Sequence, residues 1–217
     1  FHVIFVVPEK FSEEKQILMK ALGADIFHTK REDGMLGAAA KAQELLSEIK
    51  DSISLQQFKN MSNPKAHYET TGPEIYQDLD GKIDYLVAGA GSGGTYSGVV
   101  KFLKEQNRNI KGILADPVGS TMGGGEHADY DIEGIGNDFI AETMDMSLVD
   151  KVIKINDTQA FDGARALARH EGILGGSSTG AAFSAALKLI YEHHVKGNIV
   201  FIAPDSGDRY FSKHLYA

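Results

Sequence analysis

The residues from Val87 to Thr95 read VAGAGSGGT, and they carry more structural information than any other part of the sequence. The apolar run at 85–88 before them predicts a buried strand, and residues 95–105 predict a helix. The glycines between let the backbone turn tightly and approach a ligand closely. Free N–H groups and the helix dipole favour a phosphate at such a helix start. The alternative is a tight turn without a ligand, although that needs only one or two glycines.

Composition excludes several classes of function. A formal net charge of -8 argues against non-specific binding to nucleic acid or to an anionic membrane surface. The absence of cysteine excludes disulfides, a thiolate nucleophile and cysteine-based metal sites, and the eight histidines show no metal-ligand spacing. We therefore expect no metal site and place the eight histidines at the surface or at helix ends. The expected protein is cytoplasmic, with no membrane or nucleic-acid partner.

Strand-like and helix-like stretches alternate along the chain. The patterns predict strands at 1–7, 25–29, 85–88, 112–115, 152–155 and 198–203, and helices at 12–22, 36–49, 73–79, 95–105 and 156–170, with loops at 54–71 and 119–136. A second glycine turn at 175–180 leads into a further predicted helix that ends at about residue 193. Asn156 and Gln159 resemble a capping box for one of these helices. Such alternation predicts an α/β fold with a parallel sheet between two helical layers. Because residues 1–7 resemble the middle of a buried strand, we expect the fold to lack an N-terminal segment.

A second interpretation of the glycine stretch is a dinucleotide site. Gly89, Gly91 and Gly94 match the G-x-G-x-x-G fingerprint, and Asp116 follows a predicted strand where that fingerprint places a ribose-binding acid. This Rossmann-type NAD(P)-binding protein remains an alternative. Two features argue against it, because a strand and helices precede the motif and a turn follows Asp116 directly.

The chain also resembles the β-family, or fold type II, of pyridoxal-phosphate (PLP) enzymes, which includes cysteine synthases and cystathionine β-synthases. The resemblance begins with GSGGT at 91–95 followed by Gly98. It extends through nearly the whole chain, with PEK at 8–10, ALGA at 21–24, QF at 57–58, NP at 63–64, EGIG at 133–136, EGIL at 171–174 and PDS at 204–206. It implies a smaller substrate-side domain at 1–70, N-terminally incomplete, and a larger PLP-binding domain at 71–217.

The resemblance implies a role for several residues. The cofactor phosphate would bind to the loop formed by Gly91, Ser92, Gly93, Gly94 and Thr95. Ser178 would hydrogen-bond the pyridine nitrogen, and a neutral hydroxyl there suits elimination and replacement at the β-carbon. The substrate would be held by Gln57, Glu133 and Gly134. The alternatives are a helix N-cap for Ser178, ordinary loop polarity for Gln57 and an exposed acid for Glu133.

The resemblance also marks an absence. The lysine that holds the cofactor as a Schiff base belongs to a Ser-x-Lys-Asp/Asn context, and no lysine of this chain has that context. We therefore assign no catalytic residue here, expect that lysine upstream of Phe1, and expect the chain alone to be inactive. We place Lys10, Lys59 and Lys213 at the solvated surface.

The expected activity is PLP-dependent β-replacement on serine or O-acetylserine, with homocysteine as the thiol and cystathionine as the product. DPVGS at 116–120 favours the cystathionine β-synthases, whereas Asn137 departs from the tyrosine that many of them carry there. Cysteine synthase activity, with O-acetylserine and sulfide, is the alternative. The expected partners are small amino-acid and thiol substrates and a second copy of the chain in a homodimer.

Overall fold

The computed structural model describes residues 1–216 and alternates strands with helices, as the sequence predicts. The strands are β1 (Ile4–Pro8), β2 (Asp25–Thr29), β3 (Tyr85–Gly89), β4 (Lys111–Pro117), β5 (Lys151–Ile155) and β6 (Ile199–Phe201). The helices are α1 (Glu13–Ala21), α2 (Gly34–Glu48), α3 (Ser62–Glu69), α4 (Thr71–Asp78), α5 (Gly94–Gln106), α6 (Asp157–Glu171) and α7 (Ser177–Tyr191). Short 3-10 turns lie at Arg31–Asp33, Met146–Leu148 and Gly207–Lys213.

The chain forms two units, and their boundaries differ from the predicted ones. The smaller unit contains Phe1–Leu55 and the segment from Gly207 onward, and the larger unit is Gln56–Ser206. The predicted boundary at residue 70 therefore falls inside the larger unit, because α3 packs against α5. The C-terminal segment groups with the smaller unit, where the Ser212 amide donates to Glu14 at 2.7 Å. The functional assignment of each unit remains a prediction.

A four-stranded parallel sheet forms the centre of the larger unit. Its strand order is β5-β4-β3-β6, and Val87 of β3 lies opposite Ile113 of β4. Successive side chains of β3 enter different hydrophobic cores, with Leu86 packed among α5 residues and Val87 packed among α6 and α7 residues. A strand buried on both faces is what parallel sheets require. The predicted three-layer α/β arrangement is confirmed.

The main local error of the sequence analysis lies between residues 54 and 71. Predicted as loop, this region contains helix α3. The prediction treated Asn63-Pro64 as a turn signal, but Pro64 lies in the first turn of the helix, where its missing N–H costs no hydrogen bond. By contrast, the capping box of Asn156 and Gln159 at the start of α6 is confirmed.

Helices α6 and α7 pack closely because glycines face each other at their contact. A Cβ atom on Gly180 would lie 1.9 Å from the carbonyl oxygen of Ala160, and one on Gly163 would lie 2.6 Å from the carbonyl oxygen of Gly180. These neighbours are backbone atoms, so a side chain could be accommodated only if the helices moved apart. Since α7 carries Ser178, this contact also fixes the position of a candidate site residue.

We expect Gly180→Ala to lower the free energy of unfolding by about 1–3 kcal/mol, the usual cost of overpacking a core. The higher helix propensity of alanine offsets about 1 kcal/mol of the strain at most. Urea unfolding monitored by circular dichroism measures the change. Thr158→Ala on the exposed side of α6 is the control and should change stability by less than about 0.5 kcal/mol. Equal stability of the Gly180→Ala variant and the parent would contradict the close contact.

Candidate functional site

The glycine stretch connects β3 to α5 at the carboxyl end of the sheet. The chain runs from β3 through β4 to β5 on one side and then returns to β6 on the other side of β3. The strand order thus reverses at β3, and ligands of open parallel sheets bind beyond the carboxyl ends of strands at such a point. Helix α7 runs back along the sheet into β6, so its first turn lies at the same edge as that of α5.

Neighbouring protein atoms occupy much of the space beside the loop glycines. A Cβ atom on Gly91 would lie 2.7 Å from the carbonyl oxygen of Gly134, and one on Gly94 would lie 1.9 Å from the side-chain oxygen of Asn63. Gly93 has a φ of +80°, which other residues rarely adopt. The glycines are therefore needed for the loop to turn and to pack against its neighbours, whether or not a ligand also approaches it.

Two backbone N–H groups of the loop remain available to a ligand. Among residues 1–216, no hydrogen-bond acceptor is present for the N–H groups of Ser92 and Gly93. The Gly94 N–H lies 3.4 Å from the Ser92 side-chain oxygen. Free N–H groups at a helix start are the usual donors to a phosphate. The loop predicted to bind a phosphate therefore has two donors available for it.

Helix α3, which the sequence analysis missed, holds both hydroxyl side chains of the loop. Asn63 donates from its side-chain amide to the Ser92 hydroxyl oxygen at 2.9 Å. His67 Nε2 lies 3.1 Å from the Thr95 hydroxyl, and its Nδ1 lies 2.9 Å from the Thr71 hydroxyl. His67 is half-buried and lies in the last turn of α3, so the expectation of a helix-end position is confirmed, and its contact with Thr95 is what the sequence analysis did not predict. Burial also lowers its pKa below the ordinary value.

Ser178 lies in the first turn of α7, is 3% exposed, and has no hydrogen-bond partner for its hydroxyl within the part of the chain that is described. A Cβ atom on Gly134 would lie 3.8 Å from the Ser178 hydroxyl oxygen. A helix N-cap role is excluded because Gly176 occupies the N-cap position. The neighbouring Ser177 accepts a hydrogen bond from the Glu133 amide at 2.9 Å.

The three predicted substrate residues lie in different environments. Glu133 is 3% exposed, so the alternative of an exposed acid is wrong. Gly134 has a φ of +88° and lies between the loop at residues 91–95 and Ser178. Gln57 is exposed, and its backbone carbonyl accepts a hydrogen bond from Asn63 at 2.8 Å. Substrate binding by these residues remains a prediction.

Asp116 does not have the environment of a ribose ligand. It is 1% exposed, and one oxygen of its carboxylate accepts hydrogen bonds from Lys154 at 2.5 Å and from the Gly123 amide at 3.0 Å. A carboxylate that binds ribose must reach the ligand, whereas this one anchors the loop that follows β4. The dinucleotide interpretation therefore lacks the ribose-binding acid that it requires in addition to the glycines.

Residues 1–216 contain no group of three or more histidine, aspartate or glutamate side chains placed to hold a metal ion. Over the same residues, no helix combines the length and the apolar character needed to cross a membrane.

The fold and the loop define the chain as an α/β protein of the fold type II class. A crystal structure of an O-acetylserine-dependent cystathionine β-synthase from Helicobacter pylori superimposes with a TM-score of 0.93 at 44% identity, covering 99% of this chain and 70% of that one. The chain belongs to the pyridoxal-phosphate dependent enzyme family, whose profile matches residues 1–205. Its cofactor is therefore pyridoxal phosphate.

Two relatives show which members of the family this chain resembles. An O-acetylserine-dependent cystathionine β-synthase from Bacillus subtilis is 50% identical over 213 residues, which are 98% of this chain and 69% of the relative. Cysteine synthase A from Escherichia coli is 41% identical over 228 residues, covering 100% of this chain and 71% of the relative. The resemblance stated from the sequence motifs is confirmed, and the chain is an enzyme of the cysteine synthase and cystathionine β-synthase kind.

The lowered pKa of His67 predicts a stability that depends on pH. The unfolded chain takes up a proton at a pKa of about 6.5, whereas the folded protein resists protonation at this site because the ring is partly buried. The contribution is fully present above the unfolded pKa and is lost as the pH falls below it. We expect the urea midpoint of the parent to fall more than that of His67→Gln between about pH 7.5 and about pH 5.5. Parallel losses in the two proteins would contradict this.

Proposed function

We propose that the loop at residues 91–95 binds the phosphate of pyridoxal phosphate. The observation that carries this proposal is the pair of free N–H groups on Ser92 and Gly93 at the start of α5. The hydroxyls of Ser92 and Thr95 provide further donors. Asn63 donates to the Ser92 oxygen, which leaves the Ser92 hydroxyl proton free to reach the phosphate.

The orientation of His67 follows from the same requirement. If His67 donates from Nε2 to the Thr95 oxygen, the Thr95 hydroxyl proton is free for the phosphate, and the Thr71 hydroxyl then donates to Nδ1. The opposite tautomer would draw the Thr95 proton away from the site. The proposal therefore assigns the Nε2–H tautomer to His67 in the cofactor-bound protein.

Ser178 is the proposed partner of the pyridine nitrogen. Ser178 is 3% exposed, and its hydroxyl has no acceptor or donor among residues 1–216, so a cofactor ring beside it would supply the missing hydrogen-bond partner. When bound, pyridoxal phosphate withdraws electrons from the amino-acid substrate, which allows loss of the α-proton and of the β-substituent. A neutral hydroxyl leaves the ring nitrogen unprotonated and suits β-replacement.

The proposed reaction is replacement of the β-substituent of O-acetylserine or serine by homocysteine, which gives cystathionine. Two relatives support it, because the 50% identical protein and the 44% identical crystal structure are both named O-acetylserine-dependent cystathionine β-synthases. The alternative product is cysteine, formed with sulfide, and the cysteine synthase from Escherichia coli supports it. Gln57, Glu133 and Gly134 are the proposed substrate contacts.

We assign the Schiff-base lysine outside these 217 residues, because no lysine here has the family context. The environments of several lysines agree with this. Lys59 is exposed beside Glu142, Lys154 is paired with Asp116, and Lys213 donates to the carbonyl of Lys10. These residues alone are therefore expected to bind the cofactor without turnover.

The two cofactor contacts can be separated by equilibrium dialysis with pyridoxal phosphate and with pyridoxal, which lacks the phosphate. Ser92→Ala should weaken binding of pyridoxal phosphate by about tenfold or more, the effect of one lost hydrogen bond to a charged group, and should leave pyridoxal binding unchanged. Ser178→Ala should weaken both ligands by a similar factor. If Ser92→Ala weakens both ligands equally, the phosphate does not bind at this loop.

The thiol preference can be measured by supplying O-acetylserine with either homocysteine or sulfide to the protein that includes the Schiff-base lysine. We expect kcat/KM to be higher for cystathionine formation than for cysteine formation by about tenfold or more, the range that a few pocket contacts provide. The 217 residues alone are the control and should form neither product. A preference for sulfide would assign the protein to cysteine synthesis instead.

A further inference from the structure

Two side chains from outside the phosphate loop hold consecutive carbonyl groups within it. The side-chain amide of Asn137 donates to the carbonyl oxygen of Gly91 at 2.6 Å. The hydroxyl of Thr143 donates to the carbonyl oxygen of Ser92, also at 2.6 Å. Both side chains are buried, with Asn137 6% and Thr143 1% exposed. Both belong to the segment between β4 and β5, far from the loop in sequence.

The planarity of the peptide bond links these contacts to the free N–H groups. In a trans peptide unit the C=O and N–H bonds point in opposite directions. The carbonyl of Gly91 shares its peptide unit with the N–H of Ser92, and the carbonyl of Ser92 shares its unit with the N–H of Gly93. Fixing the direction of each carbonyl therefore also fixes the direction of the N–H group in the same peptide unit.

We propose that Asn137 and Thr143 are positioning residues for the cofactor phosphate, which they orient indirectly by fixing the two peptide units whose N–H groups bind it. This inference rests on the proposed phosphate site at residues 91–95. Neither side chain is assigned a contact with the phosphate itself, because the donor of each is already bonded to a carbonyl of the loop. Their effect on binding is pre-organisation, since the donors need no reorientation when the phosphate arrives.

The two side chains are themselves well supported. The Ser120 hydroxyl donates to the backbone carbonyl of Asn137 at 3.0 Å and accepts a hydrogen bond from the backbone N–H of Asn137 at 3.1 Å. The carbonyl of Ser120 accepts a hydrogen bond from Lys154 at 2.6 Å, and Lys154 is paired with Asp116 at the end of β4. The position of Asn137 is thus fixed from the sheet outward, as a positioning residue requires.

Thr143 is supported by the segment that precedes α3. Its amide donates to the carbonyl of Phe58 at 3.3 Å, and its hydroxyl also lies 3.4 Å from the carbonyl of Gln57. The next residue, Met144, packs directly against Gly93, where a Cβ atom would lie 2.4 Å from the Met144 Cβ. Asn137 and Thr143, each with its own support, therefore hold consecutive carbonyls of the loop.

The test uses Thr143→Val, which removes the hydroxyl at nearly constant volume, and Asn137→Leu, which removes the amide donor. Equilibrium dialysis should show pyridoxal phosphate bound about five- to tenfold more weakly by each variant, with pyridoxal binding unchanged. Phosphorus NMR of the bound cofactor should show a shifted and broadened signal, because the donors around the phosphate are no longer held in one arrangement.

Two controls separate positioning from general stability. Thr143→Ser keeps the hydroxyl and should restore parental affinity and the parental phosphorus signal. Ser184→Ala removes a partly buried hydroxyl that donates to the Gln159 carbonyl at 2.7 Å in the contact between α6 and α7, and should change neither readout. A loss of affinity for both ligands in Thr143→Val, or an unchanged phosphorus signal, would overturn the proposal.

The result for Ser92→Ala distinguishes a failure of the proposed phosphate site from a failure of the proposed positioning role. If that variant selectively weakens pyridoxal phosphate while Thr143→Val and Asn137→Leu bind it like the parent, the phosphate site stands and the positioning role is wrong. If Ser92→Ala has no selective effect, the phosphate site itself is wrong and the positioning role fails with it.

Discussion

The need to satisfy every peptide group after β3 organises the larger unit. The chain leaves the sheet at Gly89, and from that point its carbonyls and N–H groups lose their strand partners. The carbonyls of Ala90, Gly91 and Ser92 are bonded in turn to the Gly136 amide, Asn137 and Thr143. The N–H groups of Ser92 and Gly93 have no such partner among the described residues. A buried turn whose acceptors are all paired and whose donors are not is suited to an anion.

Much of this arrangement follows from sequence patterns, because the patterns are local. Apolar runs with β-branched residues predicted β3, β4 and β5, and the capping box at Asn156 predicted where α6 begins. Helix α3 could not be predicted in this way, since its apolar periodicity is weak and its proline resembled a turn signal. The sequence carries no local mark that His67 of this helix meets Thr95, because that contact depends on how α3 packs against α5.

The loop glycines have a packing role that the sequence analysis did not predict. Their number suggested that a ligand approaches the backbone, yet protein atoms of Gly134, Asn63 and Met144 lie where Cβ atoms on Gly91, Gly94 and Gly93 would be. Glycine therefore serves first to let surrounding segments reach the loop. The close approach of those segments is what allows their side chains to hold its carbonyls, so the glycines would serve the proposed phosphate site indirectly.

The same glycine fingerprint occurs in dinucleotide-binding folds, and the environment of Asp116 explains why the pattern alone was ambiguous. In both interpretations a carboxylate follows the next strand, at the same edge of the sheet. Here the carboxylate is buried with Lys154 and supports the loop that carries Ser120 and Asn137. A carboxylate turned inward in this way cannot bind ribose, but it can stabilise the loop against which a phosphate site is assembled. Burial, which the sequence pattern does not report, therefore distinguishes the two chemistries.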